Sequence, residues 1–160
     1  MDIFDKLWKK YNNLQLTIVG DGVFRNRLVN YATQLKSSKA IKFLGFRQDR
    51  LNILENFDLF IMTSSYEGVP RCMMEAMAMN IPVAAYDIPG IDQLIMHNET
   101  GLLAEYEDKD ELTTYCEKIL FDRKLSEKLK FNARLLIKNK FSAERMSDEY
   151  IKLFHSLLSV

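Results

Sequence analysis

Two glutamates with seven residues between them, Glu67 and Glu75, are the side chains in this sequence best placed to do chemistry. Pro70 lies between them and opens a run of helix-forming residues, and proline is favoured at the first position of a helix. Glu75 would then lie about one and a half turns into that helix, with Glu67 in the loop ahead of it. The spacing therefore predicts two carboxylates that frame the start of one helix.

The start of such a helix suits an anion. Its first N–H groups have no partner within the helix and its dipole is positive there, so it can hold a phosphate. Gly68 would let the backbone approach a ligand closely. The carboxylate of Glu75 fits a vicinal diol such as a ribose edge, and Glu67 can face positive charge that develops on a sugar ring. Together these features indicate the chemistry of a nucleotide sugar.

The residues around the two glutamates predict a strand, a tight loop, a helix and a second strand. Residues 59–62 and 82–86 are short apolar runs, typical of strands buried on both faces. Asn80 tolerates the left-handed conformation in which helices end. Two other turns follow predicted strands, Gly20-Asp21-Gly22 and Gly45-Phe46.

The whole chain alternates in the same way. Strands are predicted at residues 14–19, 41–44, 59–62, 82–86 and 101–104. Helices are predicted at residues 3–12, 24–36, 51–57, 123–138 and 142–158, the last with Ser142 as N-cap. Two further helices are predicted, a short one that ends near residue 96 and one of about a dozen residues that begins at Asp108. This order predicts an α/β fold, a Rossmann-like doubly wound parallel sheet with helices on both faces. Ligands bind such sheets at the carboxyl ends of strands, where the turns at 20–22, 45–46, 63–70 and 87–90 would converge.

Composition excludes several function classes. The chain has 160 residues, the size of one domain, with 48% hydrophobic and 28% charged residues. Its 22 Lys and Arg balance 22 Asp and Glu, so nucleic acid is not an expected partner. Cys72 and Cys116 form no metal-binding motif, and neither a metal nor another cofactor is expected. Without a membrane-length apolar run or a signal-peptide pattern, a cytoplasmic location is expected.

A dinucleotide-binding motif is a competing interpretation of the first strand and its glycine turn. That motif needs a third glycine where Arg25 stands and an acidic residue where Gly45 stands. The residues themselves leave open whether Gly20 and Gly22 only permit a tight turn or face a ligand, and whether Phe46 is core or ligand contact. The methionines around the central motif are interpreted as core residues, namely Met62, Met73, Met74, Met77 and Met79. His97 and His155 are interpreted as non-catalytic, with His97 solvated in a turn.

The segment S-x-Y-E-G-x-P-x-x-x-x-E-A-M-A-x-x-x-P-V-A-A resembles the E-x7-E signature of family 4 retaining glycosyltransferases, which have the two-lobed GT-B fold. Residues 18–22, 42–46, 89–95, 99–104 and 141–146 match further family segments in the same order. The resemblance implies one domain over residues 1–160, the nucleotide-sugar-binding C-terminal half of a GT-B fold. The sugar would move to a glycan or lipid-linked acceptor, which brings possible contact with the inner face of a membrane.

The resemblance also implies roles for individual residues. Glu75 would hold the ribose hydroxyls, and Glu67 would lie beside the transferred sugar, as nucleophile or as positioning group. Gly45 and Phe46 would lie against the base. The remaining residues implied for donor binding are Gly20, Gly22, Gly68, Val69, Pro70, Arg71, Cys72 and Met73, with backbone amides around Arg71 to Met73 on the distal phosphate and sugar.

Family members also carry an arginine and a lysine on a strand ahead of the region that matches residue 1. This sequence contains neither that strand nor the acceptor lobe, and Lys6, Lys9 and Lys10 do not replace the cations because they fall on a predicted helix. We therefore expect the isolated chain to bind the nucleotide sugar weakly and to be inactive. Two alternatives remain: a non-catalytic nucleotide-sugar-binding or interaction module, and another GT-B enzyme such as a nucleotide-sugar epimerase.

Overall fold

A computed structural model describes residues 1–158, so residues 159–160 of the predicted domain lie outside the description. Strands and helices alternate along most of the chain. In chain order the elements are α1 (Asp2–Lys10), β1 (Leu16–Val19), α2 (Arg25–Ala32), β2 (Ile41–Gly45), α3 (Arg50–Leu54), β3 (Phe60–Met62), α4 (Arg71–Ala78), β4 (Val83–Tyr86), β5 (Leu102–Ala104), α5 (Lys109–Phe121), α6 (Arg123–Lys140) and α7 (Ala143–Leu158).

All of the strand pairs are parallel, which confirms the predicted α/β class. The described strands form two sheets rather than one: β1 pairs with β2, and β3, β4 and β5 pair in that order. Within the larger sheet Ile61 lies opposite Ala84, and Ala84 lies opposite Leu102. Helices flank the sheets, and β4 is the strand with partners on both sides.

Two predicted helices differ from the structure. The helix expected to end near residue 96 is absent, and isolated turns take its place. The buried hydroxyl of Thr100 donates to the carbonyl of Leu94 and accepts the N–H of Met96, which in a helix would bond to the carbonyl of Asp92. The helix predicted at 24–36 ends already at Ala32, and a short 3-10 turn over Ser38–Ala40 precedes β2.

The core is built around β4, every residue of which is buried. Met73 and Met77 of α4 are completely buried beside it, which confirms that these methionines are core residues. The apolar face of α4 thus fixes that helix against β3, β4 and α6. A helix held this firmly can present its first turn in one defined position.

Helix α1 is joined to the rest of the molecule by charged groups. Asp5 is buried and accepts hydrogen bonds from the N–H and the hydroxyl of Ser37. Lys6, Lys9 and Lys10 all lie on α1, as predicted, and each pairs with a carboxylate. Their positive charges are therefore engaged within the fold.

Several predicted helix ends are confirmed by their hydrogen bonds or backbone angles. Asp108 accepts two N–H groups at the start of α5, and the hydroxyl of Ser142 accepts the N–H of Arg145 at the start of α7. Asn80 has a φ of 64°, in the left-handed region, just after α4. No residue of α7 is buried, and no helix within residues 1–158 is long and apolar enough to cross a membrane.

Candidate functional site

The four turns that follow the strands lie together at the carboxyl edge, as the sequence predicted. The N–H of Gly20 donates to the carbonyl of Gly45 at 2.8 Å, which joins the turns after β1 and β2. The loop after β4 contacts the loop after β3, where Gly90 lies against the backbone of Gly68. An ion pair between Arg50, the first residue of α3, and Glu75 of α4 links these two helices. These three contacts gather the predicted site residues at one edge.

The first turn of α4 presents open backbone donors. Pro70 precedes the helix in an extended conformation, and no side chain caps it. The N–H groups of Met73 and Met74 donate to the carbonyl of Pro70 at 3.1 and 3.2 Å. Within residues 1–158 no acceptor takes the N–H of Arg71 or Cys72. Two of the three predicted amides are thus available to an anion, while Met73 is buried with its amide engaged.

Glu67 lies in the loop immediately ahead of this turn and is half-buried. Because α4 has no side-chain cap, Glu67 does not serve as a capping residue for it. Its carboxylate forms no hydrogen bond or ion pair with residues 1–158. Burial, and to a smaller extent the charge of Glu67, raises the pKa of the Cys72 thiol in the first turn of α4.

Glu75 lies inside α4 and is held between two arginines. The Nη2 and Nε atoms of Arg50 donate to its two oxygens at 2.7 and 3.2 Å, and the Nε of Arg71 lies 3.3 Å from one of them. Only 17% of the Glu75 side chain is exposed. The Arg50 hydrogen bonds hold the pKa of Glu75 below its ordinary value, so the carboxylate is ionised at neutral pH.

The turn after β2 exposes the residues predicted to meet a base. Phe46 is 75% exposed, which excludes the alternative that it is a core residue. Gly45 has a φ of 66° and Gly20 a φ of 131°, conformations that favour glycine. Gly22 is exposed, and its N–H donates to the carboxylate of Asp21.

The other predicted contact residues differ in how far they can reach a ligand. Gly68, Val69, Arg71 and Cys72 are exposed, whereas Pro70 is buried. The exposed residues lie on the loop and on the first turn of α4, between the two glutamates. The residues around the start of α4 that were predicted to bind the donor thus fall into two groups. Most of them form a surface that a ligand can touch, whereas Pro70 and Met73 are buried.

Sequence reasoning missed Arg50 and Gly90. Arg50 begins α3 five residues after Gly45, so its place just beyond the carboxyl end of β2 was a usable signal. Gly90 was available as a glycine in the turn after β4, but its contact with Gly68 depends on the tertiary fold.

His97 is exposed, as predicted, but its side chain also has partners within the fold. Its Nδ1 accepts the N–H of Leu103, and its ring lies 5.3 Å from the ring of Tyr115. The imidazole therefore joins a turn to β5 and has a structural role. Among residues 1–158 no three His, Cys, Asp or Glu side chains are grouped as a metal would need. The expectation that the reaction needs no metal stays a prediction.

Comparison with known proteins gives a family match over most of the chain. The family model described as "Glycosyl transferases group 1" matches residues 1–136. An Escherichia coli protein named UDP-Gal:alpha-D-GlcNAc-diphosphoundecaprenol alpha-1,3-galactosyltransferase is 33% identical over 86% of this chain and 35% of its own length. The chain spans less than half the length of the curated relatives that it matches.

Solved structures share the fold. The C-terminal domain of a group 1 glycosyl transferase from Francisella tularensis, LpcC, superimposes with a TM-score of 0.77 at 25% identity, over 89% of this chain and 77% of that one. A Staphylococcus aureus TarM variant in complex with UDP superimposes with a TM-score of 0.88 at 26% identity, over 96% of this chain and 31% of that one. The similarity to both structures supports the C-terminal lobe of a GT-B fold.

Proposed function

This chain belongs to the glycosyl transferases group 1 family, and we propose that it is the lobe of a retaining, family 4 enzyme that binds the nucleotide-sugar donor. The observation that carries the proposal is the first turn of α4. Two open N–H groups, those of Arg71 and Cys72, lie between the carboxylates of Glu75 and Glu67. The carboxylate of Glu75 is paired with arginine, whereas that of Glu67 has no hydrogen-bond partner among the described residues.

Each part of this arrangement has a role in the proposed reaction. The N–H groups and the positive end of the α4 dipole bind the distal phosphate, and Glu75 accepts hydrogen bonds from the ribose diol. Glu67, beside the sugar, stabilises the cationic character of the transition state. Gly45 and Phe46 contact the base. Phe46 is exposed and can present its ring face without rearrangement of the core.

The covalent step conserves the configuration of the sugar. The bond between the anomeric carbon and the diphosphate oxygen breaks, and its electron pair leaves with the phosphate. The acceptor hydroxyl forms the new bond on the same face of the sugar, and its proton passes to the departing phosphate oxygen. This route needs no metal or other cofactor, and Glu67 acts as an electrostatic and positioning group.

UDP is the nucleotide that the relatives favour. The Staphylococcus aureus TarM structure contains UDP, and the name of the Escherichia coli relative specifies UDP-Gal and a diphosphoundecaprenol-linked acceptor. By analogy the acceptor of this protein is a glycan or a lipid-linked sugar that a second lobe binds. A lipid-linked acceptor would bring the complete protein to the cytoplasmic face of a membrane.

The division of the strands into two sheets supports a further part of the proposal. β1 pairs only with β2, and β3 pairs only with β4, so each has one edge without a strand among the described residues. A parallel strand ahead of α1 could pair with both edges and join the sheets. The resemblance places the cations that bind the diphosphate on such a strand, and the donor affinity of residues 1–160 should be correspondingly weak.

The first test is an NMR titration of the 160-residue chain with UDP, GDP and ADP. We expect UDP to shift the amide signals of Arg71, Cys72 and the Gly45-Phe46 turn, and Glu75→Gln to weaken that response. Glu55→Gln is the control, because Glu55 is an exposed carboxylate at the end of α3. Equal weakening by both substitutions would contradict a specific role for Glu75.

Transfer is tested in a longer form of the protein that contains an acceptor lobe. Glu67→Gln should abolish most transfer while it leaves UDP affinity within about twofold, because its effect is confined to the transition state. Full transfer by the Glu67→Gln variant would instead support the alternative in which this loop has no catalytic role. Turnover by residues 1–160 alone, lost in Glu67→Ala, would refute the proposed division between two lobes.

A further inference from the structure

Arg50 binds Glu75 in a fork-like geometry across two helices. Its Nη2 and Nε atoms donate to different oxygens of the carboxylate, Nη2 to Oε1 at 2.7 Å and Nε to Oε2 at 3.2 Å. The two residues are 25 positions apart, on α3 and α4. A planar guanidinium that contacts both oxygens fixes the rotation of a carboxylate, which a single contact cannot do.

Arg71 does not provide the same constraint. It lies one turn from Glu75 on α4, contacts only one oxygen at 3.3 Å, and has a side chain that is 81% exposed. The Arg50 side chain is 44% exposed, and the Glu75 side chain is 17% exposed. Arg50 is therefore the partner that holds the carboxylate in one plane.

The paired carboxylate still has capacity for a ligand. Its two oxygens offer about four acceptor positions, and the fork uses one on each oxygen. One position is left on Oε2, and the second position on Oε1 faces the exposed Arg71 Nε at 3.3 Å, so a vicinal diol can donate to both oxygens if its hydroxyl replaces that contact. Arg50 also follows the turn at Gly45 and Phe46, so it connects the proposed base contact to the proposed ribose contact.

We propose that Arg50 is a positioning residue that fixes the Glu75 carboxylate for the ribose diol of the donor. This inference rests on the proposed function, in which Glu75 binds ribose. Pre-orientation of the carboxylate removes an ordering cost that binding would otherwise include. Arg50 thereby contributes to the discrimination of ribonucleotides from nucleotides without the diol, without touching the diol itself.

The test compares UDP with 2′,3′-dideoxy-UDP, using isothermal titration or NMR on the 160-residue chain. Arg50→Gln should weaken UDP binding about tenfold and leave 2′,3′-dideoxy-UDP within about twofold, because only the ribonucleotide uses Glu75. The double variant Arg50→Gln/Glu75→Gln should bind UDP no more weakly than Glu75→Gln alone. Arg50→Lys should give an intermediate loss, since lysine keeps the charge but not the fork.

Arg47→Gln is the matched control. Arg47 is another exposed arginine in the same segment, but its guanidinium contacts the carboxylate of Asp49. A ¹³C NMR titration of the Glu75 carboxyl adds a readout without ligand. Its pKa should rise in Arg50→Gln and stay unchanged in Arg47→Gln.

The failures of the two proposals are distinguishable. No binding of UDP, GDP or ADP by the parent chain would reject the proposed function and this inference with it. UDP binding with an equal loss for both nucleotides in Arg50→Gln would reject the inference alone, because Arg50 would then act elsewhere than on the diol. Tighter UDP binding in Arg50→Gln would also reject it and assign Arg50 as a competitor of the ribose.

Discussion

Gly90, in the loop after β4, lies directly against the backbone of Gly68, the neighbour of Glu67. A Cβ atom added at Gly90 would lie 2.3 Å from the carbonyl oxygen of Gly68 and 2.4 Å from that of Glu67. Gly90 also has a φ of 93°, where other residues are strained. The loop that carries the proposed catalytic carboxylate is therefore in close contact with a second loop, and at position 90 only glycine allows that contact without displacement.

Gly90→Ala should both destabilise the protein and displace the Glu67 loop. The backbone has to shift because the clashing atoms are carbonyl oxygens, and the positive φ adds strain. We expect a loss of about 2 kcal/mol in the free energy of unfolding, measured by urea denaturation. The amide signals of Glu67 and Gly68 should move in the folded variant.

Gly22→Ala is the control for this substitution. A Cβ at Gly22 would meet no atom within 4 Å, and its φ is outside the strained region. We expect a change within about 0.5 kcal/mol. If the Gly90→Ala and Gly22→Ala variants were equally stable, with the Glu67 loop unmoved, the contact between the loops would have no structural importance.

Asp5 should make stability depend on pH below neutrality. Burial opposes its ionisation, but hydrogen bonds from Lys9 and Ser37 outweigh that effect and lower the pKa of Asp5 to about 2, against an ordinary 3.8. The ionised carboxylate thus stabilises the folded state above the ordinary pKa, and this contribution is lost as the pH falls from 3.8 towards 2. Asp5→Asn removes the charge while it keeps an acceptor oxygen.

We therefore expect Asp5→Asn to lower the free energy of unfolding by about 1 to 2 kcal/mol at pH 7. This value allows for the screening of the Lys9 charge by solvent. The difference from the parent chain should shrink between pH 4 and pH 2, as measured by urea denaturation across that range. Glu127→Gln, which alters an exposed pair with Lys130, should have little effect at pH 7. A constant difference for Asp5→Asn at all pH values would contradict the charged pairing.

The sequence was sufficient for features that depend on local physics. The helix after Pro70, the left-handed Asn80 and the cap at Ser142 follow from backbone preferences that act within a few residues, and the structure confirms all three. The order of strands and helices likewise predicted parallel pairing, and hence the edge at which the turns meet.

Other features depended on contacts between distant residues. The Arg50–Glu75 pair joins positions 25 residues apart, and hydrophobic periodicity carries no information about such a pair. The segment before residue 96, predicted as a helix, instead ends in a hydrogen bond from the N–H of Met96 to the buried hydroxyl of Thr100. The hydrogen bond of His97 could not be predicted for the same reason, since its partner Leu103 lies on the following strand.

The edge of β3 that has no partner strand within residues 1–158 should be detectable by amide hydrogen exchange. The N–H of Phe60 donates to the carbonyl of Pro82, so the N–H of Ile61, on the opposite side of β3, points away from β4. Ile61 should exchange about 100-fold faster than Phe60 in residues 1–160. Ala84 and Ala85 are the controls, because β4 has partners on both sides and both amides should be slow.

A longer form of the protein that includes a strand ahead of α1 should slow the exchange of Ile61 and leave that of Ala84 unchanged. The measurement is exchange followed by NMR on the two forms under identical conditions. Slow exchange of Ile61 already in residues 1–160 would mean that another group covers this edge, and the proposed strand would then have no place to pair.

The two cysteines should differ in reactivity, and one should report on donor binding. Cys116 is completely buried, and burial raises its pKa to about 12, so its thiol should resist alkylation while the protein is folded. Cys72 is exposed in the first turn of α4, although burial of its sulfur raises its pKa as well. It should react slowly with N-ethylmaleimide at pH 8, as followed by mass spectrometry.

UDP should slow the alkylation of Cys72, because a phosphate bound to the N–H groups of Arg71 and Cys72 would cover the same turn. A UDP concentration that saturates the parent chain should reduce its alkylation rate about tenfold. The same concentration should protect Glu75→Gln less, because this variant binds UDP more weakly. Cys116→Ala identifies the labelled site, since it should leave the modification unchanged. Equal rates with and without UDP, at a concentration where NMR shows binding, would mean that the nucleotide binds away from the start of α4.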